Sequence, residues 1–429
     1  MSTGSPIGVT LLGMGTVGSG VVRILTDRGA LLADRAGGPI ALRHVLVRDP
    51  DRSRAAAVDP ALLTADPAVA LDDPNIDVVI EVMGGLEPAR THVLRALRAG
   101  HRVVTANKAL VASHGPELMA AARQGGGGLH YEAAAAGAIP IVKAVRESLA
   151  GNQVQALLGI VNGTCNYILS QMTAHGKAFA EALADAQALG YAEADPSSDV
   201  GGQDSAFKLA LLAGLAFDCH VPVERIACEG ITSVRAADIA MATELGQTIK
   251  LLAVATPKAG GIELRVQPAM IPNRHPLAAV NDAFNAVFIR GDAAGELMFY
   301  GQGAGMMPTA SAVVADLVDA CRDLRRGVPA WTPTNADPVN VLPAADSHGR
   351  FYVAVRVADR PGVLAAIAGA LADQSVSIET CIQKGRDADP VDLVFVTHES
   401  REGDVRAALS AISELEVVRE VACVIRLMG

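Results

Sequence analysis

Three places in this chain combine residue types and spacings that can do chemistry. The first is Gly13-Met14-Gly15-Thr16-Val17-Gly18, set between an apolar run, IGVTLL at 7–12, and an amphipathic segment from Thr16 to Thr26. Gly13 permits a tight turn, Gly15 lets the backbone approach a pyrophosphate, and Gly18 lets strand and helix pack, while the helix start at Thr16 and Val17 attracts negative charge. A glycine-rich turn without a ligand is the plainer reading, and the strand and helix on either side speak against it. The second is residues 191–211, YAEADPSSDVGGQDSAFKLAL, four carboxylates followed by a lysine. Asp204 and Lys208 stand four apart among apolar Ala206, Phe207, Leu209 and Leu211, so a helix puts the pair on one partly buried face. Lost solvation favours the neutral amine there, and a neighbouring carboxylate favours the charged one. Oxidising an alcohol by hydride transfer needs a base for the hydroxyl proton, and Lys208 is the candidate. Glu193 and Asp199, on the loop before the helix, are candidates for holding a substrate ammonium; the alternative is a solvated acidic loop with an ordinary ion pair. The third place is Thr105-Ala106-Asn107-Lys108, where Lys108 follows the run HRVVTA and is either a cation at a ligand-binding sheet edge or a surface lysine.

These residues need elements to position them. The runs IGVTLL, Ile40–Arg48, DVVIEVMGG and HRVVTA alternate with helical periods, one of them near 88–99, which predicts a parallel, doubly wound Rossmann-type sheet over residues 1–130. At the end of its second strand stand Arg48 and Asp49; Arg48 suits a 2′-phosphate and Asp49 a free ribose, so NADP is the expected cofactor ahead of NAD. Residues 131–308 read as an α+β catalytic domain, and the helical period at 309–324 is placed back on the nucleotide domain. Residues 325–349 carry linker composition. Residues 350–429 follow the order β-α-β-β-α-β, a ferredoxin-like unit.

With 36 Lys plus Arg against 46 Asp plus Glu, the net charge of -10 excludes a broad basic field for nucleic acid or anionic lipid. The cysteines 165, 219, 228, 321, 381 and 423 are scattered without a CxxC pair, so free, mostly buried thiols in a reducing compartment are expected. No secretory segment or membrane span is read, and a cytoplasmic protein is expected.

In order along the chain, GMGTVG, TANKAL, YEAAAAGAIP, NGTCNYIL, EADPSSDVGGQDSAFKL and GAGMMPTASAV resemble the blocks of homoserine dehydrogenases, and the resemblance covers nearly the whole sequence. It implies NAD(P)-dependent interconversion of L-homoserine and L-aspartate 4-semialdehyde, a step toward threonine and methionine. By the same resemblance Lys208 is the proton donor and acceptor, Lys108 a second essential lysine near substrate and nicotinamide, and Glu193 the ammonium ligand. Asp199 and Asp204 complete the pocket, Asn162, Gly163, Thr164 and Tyr191 line it, and Gly305 touches the cofactor. The family also carries a sodium ion, which implies Glu132 with backbone oxygens of Ala135, Gly137 and Ile139; on its residues alone Glu132 reads equally as a cap. The C-terminal unit resembles an ACT domain, with Asp359, Gly362 and Val363 at a turn where threonine is the implied effector, or else a dimerisation module without ligand. A homodimer or homotetramer is expected. Two other functions compete: a different ACT-bearing dehydrogenase, which would use a catalytic histidine that no motif here supplies, and a non-catalytic regulator sensing amino acid or redox state.

Overall fold

The computed structural model describes residues 5–54, 56–329, 338–384 and 390–428. They form two compact units, one of residues 1–154, 210–223 and 290–339, the other of residues 155–209, 224–289 and 340–429. The first unit thus extends beyond residue 130, where the change of sequence pattern suggests a boundary.

In the first unit, strands β1 (Ile7–Leu12), β2 (Ile40–Leu46), β3 (Leu63–Thr64), β4 (Val78–Glu81), β5 (Arg102–Thr105) and β6 (Gly128–His130) form one sheet in the order β3-β2-β1-β4-β5-β6, parallel throughout. The chain leaves β3 on one side of β1 and re-enters as β4 on the other, so the carboxyl ends of β1 and β4 flank the point where ligands bind in such sheets. All six residues of β1 are buried, which is why it reads as an unbroken apolar run. The helix Thr16–Asp27 buries Gly18, Val21, Val22 and Ile24. A late helix, Met306–Arg326, adds Ala310, Val313, Val314 and Leu317 to the same core as Val9 and Leu11. It is longer at both ends than the 309–324 period. Gly20 sets its closeness: a Cβ on Gly20 would lie 2.7 Å from the Met306 carbonyl oxygen.

In the second unit, a mixed sheet runs Phe284–Gly291, Val154–Ile160, Gln247–Lys258, Gly261–Pro272, Val418–Leu427, His348–Val357, Val391–Thr397, Ile378–Lys384. Its last four strands, with the helices Val363–Asp373 and Glu402–Ser413, make the ferredoxin-like unit. That unit shares the sheet, because Ala269 and Met270 pair in parallel with Arg426 and Leu427. In the stretch read as a linker, 325–349, the preceding helix runs through Arg326, and Val341 bridges Ile262 while Ile262 N–H donates to the Asn340 carbonyl at 2.9 Å. Extended, proline-rich chain suits such an edge position as well as a free tether. Residues 330–337 of that stretch lie outside the described residues. All six cysteines are free; Cys165, Cys321 and Cys423 are buried and Cys228 and Cys381 exposed, so burial of the thiols is less general than their scatter suggests. Among the described residues no helix is long and apolar enough to cross a membrane.

Where the ferredoxin-like unit joins, charges are buried. Arg265, 2% exposed, donates to Glu402 at 2.8 Å and to Ser347 Oγ at 2.6 Å, and also pairs with Glu263. Arg426 donates to the same Ser347 hydroxyl at 2.8 Å. Burial works to raise the Glu402 carboxyl, and hydrogen bonds from Arg265 and Arg406 more than reverse it, leaving it below the usual glutamate range. A lowered carboxylate stabilises the fold above its unfolded value of about 4.3 and loses that contribution as pH falls through the folded value. Glu402→Ala removes one of the two carboxylates that balance the buried Arg265, and a loss of about 2 kcal/mol is expected at pH 7, shrinking as the pH is lowered below ~4. Urea unfolding at both pH values measures this; a change under ~0.5 kcal/mol at pH 7 contradicts it.

Candidate active site

Asn162 closes the strand Val154–Ile160 and caps the helix Gly163–His175, its Oδ1 accepting from Cys165 N–H at 2.8 Å. An asparagine cap leaves its amide nitrogen as a donor. Nδ2 donates to Asp199 at 2.7 Å and to Asp204 at 3.0 Å, drawing together the short helix Ser197–Val200, where the sequence pattern suggests a loop, and the helix Gln203–Ala216. The same Asp204 Oδ2 accepts from Lys208 Nζ at 2.8 Å, and Lys208 donates to the Val161 carbonyl at 2.7 Å. The lysine and aspartate side chains are 12% and 8% exposed. The i,i+4 spacing therefore yields a sheltered pair rather than a solvated one. With two tetrahedral directions anchored, the nitrogen has one left: an N–H in the ammonium, the lone pair in the amine.

Thr164 donates to the Tyr191 carbonyl at 2.6 Å, so Tyr191 enters the wall through its backbone, while its half-exposed ring tilts over Tyr167 with centroids 5.0 Å apart. Glu193 is exposed on the same loop, and among the described residues no hydrogen bond or ion pair ties its carboxylate to the Asn162 cluster. Cys165 Sγ donates to the Asp199 carbonyl at 3.2 Å, and burial pushes its thiol up, so it is a structural donor and not a nucleophile.

In the first unit, Gly13 has φ +97°, and a Cβ there would lie 2.9 Å from the Val82 carbonyl oxygen. A Cβ on Gly18 would lie 2.2 Å from the Gly13 oxygen, whereas one on Gly15 meets nothing within 4 Å. Gly15 and Thr16 are exposed and Val17 half-buried, leaving a helix start with room for a phosphate. Arg48 is exposed just past β2, and the Asp49 carboxylate accepts from Asp51 N–H at 3.0 Å within its own turn. Gly305, φ +125°, opens the helix Met306–Arg326. Lys108 is the first, half-buried residue of the helix Lys108–Gly125. Glu81, which the apolar run around it disguised, organises the turn before it. Its carboxylate accepts from Thr105 Oγ1 at 2.6 Å and Met83 N–H at 2.8 Å; Thr105 Oγ1 accepts from Asn107 N–H at 3.0 Å, and Asn107 caps the helix. Burial raises the Glu81 carboxyl.

Glu132 is buried, and its two oxygens accept from Val142 N–H at 2.7 Å and Lys143 N–H at 2.9 Å, which makes it a cap for the next helical turn. Its own N–H donates to buried Asp316 at 2.9 Å, and burial raises both carboxyls. Ala135 and Ile139 are buried, and Gly137 has φ +64°. The Ile139 carbonyl accepts from Ile141 N–H at 2.8 Å, and carboxylate and carbonyl oxygens are the donor type that a hard cation takes. In the ferredoxin-like unit, Gly362 has φ +93° with open space at its Cβ position, Val363 starts the helix, and exposed Asp359 accepts from Gln383 at 3.2 Å.

Comparison with known proteins decides among the competing dehydrogenases and the regulator. The family model described as "Homoserine dehydrogenase" matches residues 140–318, "Homoserine dehydrogenase, NAD binding domain" matches 13–132, and "ACT domain" matches 351–417. A homoserine dehydrogenase of Corynebacterium glutamicum is 47% identical over 99% of this chain and 96% of its own, and one of Synechocystis is 46% identical over 98% and 99%. The chain belongs to the homoserine dehydrogenase family. Its activity is the NAD(P)-dependent oxidoreduction of that family, and the crystal structure of a homoserine dehydrogenase from Thiobacillus denitrificans, 44% identical over 99% of both chains, superposes with a TM-score of 0.93. The Rossmann sheet, the mixed catalytic sheet and the ACT unit are those the sequence patterns predict.

The glycines separate two roles. Gly15→Val is expected to leave thermal stability within about 1 kcal/mol while raising the NADPH dissociation constant about tenfold or more, since it fills the phosphate approach. Gly18→Ala is expected to destabilise by about 1–3 kcal/mol through its clash with Gly13. Fluorescence titration and thermal melting test both; unimpaired NADPH binding by Gly15→Val refutes the assignment.

Proposed function

We propose that this homoserine dehydrogenase uses Lys208 as its general acid and base, and the observation that carries the proposal is the two-point anchoring of Nζ by Val161 O and Asp204. With substrate bound, the third direction of the nitrogen meets the reacting hydroxyl. In the oxidative direction neutral Lys208 takes the hydroxyl proton as the C–H bond breaks and the C=O bond forms; in reduction the ammonium returns that proton to the developing alkoxide. NADP accepts or supplies the hydride when bound. Asp204 stabilises the ammonium that forms, Asn162 fixes Asp204 and Asp199, and the acidic loop offers Glu193 and Asp199 to the substrate ammonium, with Thr164, Gly163 and Tyr191 as its walls. Lys108 supplies a second positive charge to the substrate and nicotinamide.

NADP is the preferred cofactor. Exposed Arg48 pairs with a 2′-phosphate, while Asp49, engaged in its own turn, is less available to a free ribose. Glu132 and the carbonyls of Ala135, Gly137 and Ile139 hold sodium in a structural role. Threonine binds the ACT turn at Asp359, Gly362 and Val363, and the enzyme works in the cytoplasm as a homodimer or homotetramer in threonine and methionine synthesis.

Following reduced-nicotinamide absorbance with homoserine and either NADP or NAD tests the reading. Lys208→Ala is expected to lower kcat about a hundredfold or more with NADPH binding within twofold; near-normal turnover removes Lys208 from the role. Arg48→Ala is expected to raise KM for NADP about tenfold, the size of one charged contact, and to leave KM for NAD unchanged. Equal effects on both cofactors contradict the 2′-phosphate assignment.

A further inference from the structure

The carbonyl that anchors Lys208 is itself held. Asn285 is 0% exposed on the strand Phe284–Gly291, and its Nδ2 donates to Val161 O at 3.1 Å, so this oxygen accepts from the lysine and the asparagine together. Asn285 Oδ1 is buried without a hydrogen-bond partner among the described residues. A buried, half-satisfied amide is costly, and core packing alone favours an apolar residue at such a position.

The segment before Asn285 is fixed just as firmly. Asn166 Nδ2 donates to the carbonyls of Val280, Asp282 and Phe284 at 3.2, 2.9 and 3.1 Å, and Ser170 Oγ accepts from Asp282 N–H at 3.1 Å. Lys250, 1% exposed, donates to the Val280 carbonyl and to Asn166 and Asn281 side chains at 3.2 Å. Burial brings Lys250 down to about 8, with Asp282 pulling the other way. The Ala283 carbonyl abuts the start of the helix that Asn162 caps: a Cβ on Gly163 would lie 2.7 Å from it. An apolar strand and a helix would pack without any of this polar bracing. The braced segment runs directly into Asn285, whose amide is its contact with the Val161 oxygen.

We infer that Asn285 is a positioning residue for the reaction: its amide fixes the Val161 carbonyl, and through it the direction in which Lys208 presents its free valence. The inference rests on the acid–base reading of Lys208. Asn285 touches no reacting atom and acts only through that lysine, whose other neighbours are Asp204 and, behind it, Asp199 and Cys165.

Asn285→Asp replaces the donor by an acceptor of equal size, and Asn285→Ala removes it without adding charge. Both are expected to lower kcat for homoserine oxidation about tenfold, the usual worth of one positioned hydrogen bond, with KM for homoserine and NADP within about twofold. In Asn285→Asp the acidic limb of the kcat profile for oxidation, where Lys208 becomes protonated, moves to higher pH, because an added carboxylate favours the lysine ammonium. Combined with Lys208→Ala, neither change lowers the residual rate further, as expected of residues acting as one unit. Wild-type kcat and pH profile in both variants, even with lowered melting temperature, overturn the inference, as does an additive loss in the Lys208→Ala background. If Asn285→Asp does not fold, the Asn285→Ala rate and its double variant decide. Near-normal turnover of Lys208→Ala alone instead overturns the reading beneath it.

Discussion

An amine can deliver a proton along a defined line only if its other bonds are spoken for, and that constraint shapes the catalytic half of this molecule. Lys208 has one donor on a neutral carbonyl and one on a carboxylate. A carbonyl alone would leave a sheltered charge uncompensated, and the carboxylate supplies the opposite charge. The pairing supplies orientation from the first and charge balance from the second. Asn162 is the residue that makes the pairing reproducible, because one neutral side chain accepts at a helix start and donates to two acids brought from 37 and 42 residues away. An aspartate at that position would cap as well and repel both.

The nucleotide half solves a different problem with little side-chain chemistry. The glycines of its first turn and helix start separate into those that meet backbone at contact distance, Gly13, Gly18 and Gly20, and Gly15, which meets nothing within 4 Å. Only the second kind leaves room for a ligand; the others let a strand, its helix and the returning helix close on one another. Glu81 performs at the next strand ends what Asn162 performs in the other unit, converting a buried polar side chain into a fixed turn before Lys108.

What could be read in advance follows from how far the information lies along the chain. β1 and its glycine turn were legible because period, length and turn chemistry are local, and the Asp204–Lys208 pair because four residues is one helical turn. The βαββαβ order of the ACT unit was legible for the same reason. Partners that meet across distance were not: Asn285 finds Val161 at a separation of 124 residues and Arg265 finds Glu402 at 137. Each left only a negative sign, a polar side chain inside an apolar run, as with Lys250 in TIKLLAVA and Glu81 in DVVIEVM. The contact of Asn340 and Val341 with Ile262 was hidden for a related reason, since proline-rich extended chain has the same composition whether it swings free or lies along a strand.

The shared sheet in the second unit bears on what an ACT domain can do here. Pairing of Ala269 and Met270 with Arg426 and Leu427 makes strands of the ACT unit and of the catalytic sheet one hydrogen-bonded surface, and the buried Arg265–Glu402 contact fastens the start of an ACT helix to a strand of that sheet. Tyr352 adds a second tie, donating to buried Asp238 at 2.9 Å on the helix Ala236–Glu244. A ligand at the Gly362 turn can shift activity only by binding two arrangements of the unit unequally. With strand pairing, an ion cluster and a tyrosine all crossing the join, a swing of the ACT unit as a loose bead would break each of them. A movement of the ACT unit that keeps all three ties is therefore a small one, carried along the shared strands.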